Sequence, residues 1–120
     1  ALYVNGGNFS AQNTVLEGTA GRNNVGAKLS GNINVTQGNL AVTGTIYYRN
    51  GDKFTGLLAG SGLNVNVSHG SLNLTGQALA HPDVAGGCVS TPSGNNVVGL
   101  NLTNATLSAG NASLKGSSVY

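Results

Sequence analysis

Along most of the chain, aliphatic residues take every second position: Ile33 and Val35; Leu40 and Val42; Leu63, Val65 and Val67; Leu72 and Leu74; Leu100 and Leu102. Asn, Ser and Thr stand between them. A two-residue period puts each aliphatic series on one face of an extended strand and the polar side chains on the other. Nowhere do apolar residues recur at helical spacing behind a capping residue, and Gly or a β-branched residue interrupts every stretch of about ten. The pattern predicts an all-β chain with essentially no helix. Its core must be aliphatic, since 14 Leu, 12 Val and 2 Ile stand against four Tyr, two Phe and no Trp or Met.

Turn signals divide the strands. Ile46-Tyr47-Tyr48-Arg49 and Asp52-Lys53-Phe54-Thr55 flank Asn50-Gly51, the dipeptide that best accepts the positive φ angles of a two-residue hairpin turn. Gln37-Gly38 and His69-Gly70 are weaker versions of the same signal. The runs also repeat. Residues Ile33 to Gly44 (INVTQGNLAVTG) resemble Val65 to Gly76 (VNVSHGSLNLTG) 32 positions on, and a degenerate third copy opens at Leu100. Repeats of this size fit hairpins packed into an antiparallel β-sandwich or barrel, or one turn each of a short β-solenoid. The Asn-Gly turn favours the antiparallel, hairpin-built arrangement. Residues 1–120 are expected to form a single domain. An irregular loop excursion at about 80–96 carries both prolines, Pro82 and Pro92, together with Gly86, Gly87, Cys88 and Gly94.

Composition narrows the functional classes. Charged residues make up 7% of the chain, against about 25% in an average soluble domain, while 20 Gly and 17 Asn fill the space they leave. The net charge of +2 comes from scattered side chains, so no basic stripe exists that could release phosphate counterions, and no nucleic-acid partner is expected. No apolar run approaches the 18 or so residues of a membrane-spanning helix, so no membrane span is expected. The chain lacks Met even at position 1, which leads to the expectation of a secreted protein, extracellular or at the cell surface, with its signal peptide removed. Regular aliphatic alternation argues against disorder.

Catalysis needs titratable groups gathered in one place. The chain offers Glu17, Asp52 and Asp83, His69 and His81, and Cys88. Asp52 adjoins a turn, and the spacing of His81, Asp83 and Cys88 matches no usual zinc pattern. No catalytic residue, no cofactor and no metal site is expected, and the protein is read as a non-enzyme. Cys88 cannot form an internal disulfide, and its sharper reading is an intermolecular contact. Tyr47, Tyr48 and Phe54, beside the Asn-Gly turn, are further candidates for intermolecular contact. Seven Asn-X-Ser/Thr triplets start at Asn8, Asn34, Asn66, Asn73, Asn101, Asn104 and Asn111. They are possible glycosylation sites, and they equally follow from polar-apolar-polar alternation on exposed strands.

Strand edges carry the functional argument. β-proteins that stay monomeric guard their exposed edges with Lys, other charges or Pro, because unpaired backbone groups otherwise recruit another chain. Here such residues are scarce, and the main partner expected is a further copy of the same chain. The Gly-spaced run Leu63 to Gly76 resembles passages of filamentous-haemagglutinin-type adhesins and other microbial surface fibres, across about a third of the chain. The resemblance implies a microbial surface structure; the unguarded edges lead to the expectation of a filament, pilus-like or surface-fibre subunit that supports adhesion through its displayed loops, with a surface receptor or glycan as a further partner. The alternative is a monomeric β-barrel or sandwich that binds a ligand, host protein or carbohydrate.

Overall fold

The computed structural model describes residues 1–21, 24–48, 53–80 and 97–118. They form ten strands: β1 (Leu2–Phe9), β2 (Asn13–Ala20), β3 (Val25–Val35), β4 (Asn39–Tyr48), β5 (Phe54–Ala59), β6 (Asn64–Val67), β7 (Ser71–Ala80), β8 (Val97–Asn101), β9 (Thr106–Ser108) and β10 (Asn111–Ser118). There is no helix among the described residues, as the alternation predicts.

Every strand pairing is parallel. This corrects the antiparallel, hairpin-built sandwich or barrel expected from the sequence. The chain alternates between two sheets in four coils. In the first, curled sheet, β3 is flanked by β1 on one side and by β5 and β6 in succession on the other, and these lead to β8 and β9. The second sheet runs β10-β7-β4-β2. Each coil lays its residues over those of the coil before, so Leu40 pairs with Leu72 and Asn34 with Asn66 at the 32-residue offset of the repeat.

Period-two alternation is the same for parallel and antiparallel strands, so direction had to be inferred from turns. The segments holding Gln37-Gly38 and His69-Gly70 do not reverse the chain within one sheet. They are corners that carry it from the first sheet to the second, and they stack: the Thr36 amide donates to the Phe9 carbonyl (3.0 Å), Ser68 to Val35 (2.9 Å) and Gly110 to Gly70 (3.1 Å). Asn50-Gly51 lies outside the described residues. The strands on either side of it, β4 and β5, belong to different sheets and do not form a hairpin. Parallel neighbours need a long crossover between them, and here the crossover is the strand of the opposite sheet.

Between the sheets lies an aliphatic core in two parts. The larger contains Leu29, Ile33, Val35, Leu40, Val42, Leu57, Leu63, Val65, Leu72 and Leu74; the smaller is Ala20, Ile46, Phe54, Ala78 and Val97. A waist of glycine separates them. Gly18, Gly44, Gly76 and Gly116 are in register across the second sheet, facing Gly26, Gly56 and Gly99 of the first. A Cβ on Gly18 would overlap the Gly26 carbonyl oxygen, one on Gly44 that of Gly56, and one on Gly76 that of Gly99. Sheets usually pack about 10 Å apart because side chains fill the space; at the waist, backbone meets backbone. Among the glycines with positive φ, Gly31 (+72°) stands in β3 between the residues that pair with β5 and those that pair with β6.

Candidate functional site: the open ends of the stack

Four coils leave two end faces. Among the described residues, β1 and β2 have no further neighbour at one face, and β8, β9 and β10 have none at the other. These are edge strands in parallel order, and an edge strand is ready to accept a further strand through its backbone N–H and C=O groups.

Apolar side chains follow the same division. The half-buried residues at the margin of the larger core are Leu2, Val4, Phe9 and Leu16 on the first coil and Leu100, Leu102, Ala105, Leu107 and Ala109 on the last. The large hydrophobic residues that are exposed among the described ones, Tyr3 (62%), Val15 (63%) and Leu114 (50%), also lie on β1, β2 and β10. Tyr3 and Val15 stand at outward positions of their strands, whereas Leu114 belongs to an inward column. Leu16, Val42, Leu74 and Leu114 form one column across the second sheet; the two middle members are buried, and the outer two lack a neighbouring coil. In the column Thr14, Leu40, Leu72, Ala112 the first three members are buried and Ala112 alone is exposed. Thr14 is buried, and its hydroxyl is without a partner. A shallow hollow of about 290 Å³ opens on the last coil between Val97–Leu100 and Gly116–Ser118, over the glycine waist.

Polar ladders run from coil to coil. The Asn39 backbone N–H donates to Asn13 Oδ1 (3.3 Å) and the Ser71 N–H to Asn39 Oδ1 (2.8 Å), so in the first two coils a side-chain carbonyl accepts from the next coil's backbone. Asn34 Nδ2 donates to Asn8 Oδ1 (3.1 Å). Charge has its own column: Glu17, Thr43, Thr75 and Lys115 are in register on the outward face of the second sheet, and both Glu17 and Lys115 are exposed.

The sequence-derived candidates are dispersed. Asn8, Asn66, Asn73, Asn104 and Asn111 are exposed, while Asn34 and Asn101 are half-buried. The Asn34 amide nitrogen donates to Asn8 Oδ1, and the Thr103 hydroxyl of the Asn101 triplet donates to Asn101 Oδ1. Asn104 has a φ of 57°, a conformation Asn tolerates better than most residues. Tyr47 is half-buried on β4, and the Tyr48 backbone pairs with Ala80. Phe54 is buried in the smaller core, 7% exposed. Cys88, with the whole 81–96 excursion, lies outside the described residues.

The residues that define the ends, Leu16, Leu114, Glu17 and Lys115, were not singled out as a set by the sequence. Of the four, the sequence marks only Glu17, as one of its few titratable groups. Their signal is register, which needs the coil offsets. Among the described residues no three of His, Cys, Asp and Glu come together to hold a metal, and no helix is long and apolar enough to cross a membrane. No family model, curated protein or solved structure matches the chain.

Proposed function

We propose that the protein is a secreted, non-enzymatic structural subunit that assembles through its strand edges into an extracellular filament or surface fibre, and that adhesion follows from many copies of its loops being displayed together. One observation carries this reading: among the described residues, both ends of a parallel stack present unpaired strands over a half-buried apolar core, with one charge on each end strand of the second sheet. Monomeric β-proteins protect such ends with several charges, Pro or a covering element. A heterologous contact between unlike ends does not close on itself, so it extends into a filament. The repeated polar columns on the outer faces keep such a filament wettable.

The reading is tested by sedimentation and electron microscopy of the purified chain over rising concentration. Fibres or a concentration-dependent ladder of sizes are expected. A species that stays monomeric at millimolar concentration would overturn the proposal and leave a monomeric binding module as the better account.

A further inference from the structure

We propose that copies join head to tail in continuous register, β10 of one copy against β2 of the next, so that Lys115 meets Glu17 across the junction. This inference rests on the filament reading and specifies its interface.

The coil offsets determine the junction without free choice. Within one chain, residue 13 stacks under 39, then 71, then 111. Continuing the stack by one more coil from a second copy returns to 13. Leu114 then covers Leu16, completing a column whose interior members are already buried. Gly116 lies over Gly18, so the waist passes through the junction without a side chain to obstruct it. Asn111 is placed to accept from the second copy's Asn13 N–H, extending the ladder in which Asn13 and Asn39 accept from the coil above. In the first sheet, Leu100 falls over Leu2 and Ser108 over Asn8. The hollow over Gly99 and Gly116 receives the second copy's first coil.

Charge selects this join over the alternatives. The outward column ends in Glu17 at one face and Lys115 at the other. Head-to-tail contact brings opposite charges to adjacent strands, about 4.8 Å apart, where opposite pairs are favourable and like pairs are not. A like-end contact brings each charge toward its own kind. It also breaks the parallel hydrogen-bond order shared by all the pairings of the structure.

The test is a cysteine pair. Val15 and Ser113 belong to one outward column, and within a copy they are three strand spacings apart, about 14 Å, too far for a disulfide. In a Cys88→Ser background, Val15→Cys with Ser113→Cys is expected to give a ladder of covalent oligomers on mild oxidation. The control pair Thr19→Cys with Ser113→Cys, displaced four residues along the strand, is expected to give none. Separately, Lys115→Glu is expected to raise the critical concentration for assembly about three- to tenfold at low salt. Adding Glu17→Lys is expected to restore it.

Polymer that crosslinks through the control pair, or through neither pair, would overturn the register while leaving the filament reading in place. Failure of the double charge reversal to restore assembly would overturn the ion pair at the junction. Absence of any polymer would overturn both the interface and the filament.

Discussion

Glycine at 44 sits where a single methyl group decides whether two sheets can approach. Its missing Cβ would overlap the Gly56 carbonyl oxygen and lie 3.0 Å from the Ala27 Cβ; backbone on the far side cannot swing away as a long side chain could. Gly44→Ala is therefore expected to destabilise the fold by about 3 kcal/mol or more, at the upper end of overpacking costs. Gly21 faces open space, and Gly21→Ala is expected to change stability by less than about 0.5 kcal/mol. Chemical denaturation of the two variants makes the comparison; equal effects would mean that the waist is not in close contact. Half of this feature was readable in the chain. Gly44 and Gly76 close the two clear repeats and were noted as repeat positions, but nothing in the sequence told that another row, Gly26, Gly56 and Gly99, stood opposite.

The element that repeats is a coil, one passage through both sheets. Residues 39–70 span one repeat length, and deleting them joins Gly38 to Ser71 in the same relation that Gly38 has to Asn39. β7 then falls over β2, and β8 and β9 over β3, with the inward columns and the glycine waist kept in order. In a stack of near-equivalent units, stability is close to a sum over units and their interfaces. The shortened chain is expected to unfold in one cooperative transition, with a denaturant dependence lower by about a quarter, following the loss of buried surface. Loss of the transition would mean that the coils are not interchangeable. The alternation and the 32-residue repeat were visible in the sequence at this scale. Strand direction was not, because a corner such as Thr36-Gln37-Gly38 and a reversing turn draw on the same residue types.

For the molecule as a whole, the decisive feature is that its two ends differ and complement each other. Leu114 is half exposed in a single copy and would be covered by Leu16 of the next. Leu114→Lys is expected to alter the unfolding free energy of the single copy by less than about 1 kcal/mol. It should also raise the critical concentration for assembly by at least about tenfold, since a buried unpaired ammonium is costly. Thermal denaturation of dilute protein and sedimentation of concentrated protein separate the two effects. If the variant assembles as readily as the parent, the last coil is not the contact surface.

The sequence by itself determined that the chain is all-β, that its core is aliphatic, and that residues alternate inward and outward along each strand. These follow from side-chain chemistry at neighbouring positions, which no tertiary arrangement can change. Tertiary structure alone decided that the strands run parallel, that glycine rows meet across the core, and that Glu17 and Lys115 terminate one column. Each of these depends on which residues lie one coil apart. The offset differs from coil to coil, 26 from Asn13 to Asn39, 32 from Leu40 to Leu72 and 40 from Ser71 to Asn111, so it could not be read from a single spacing in the chain.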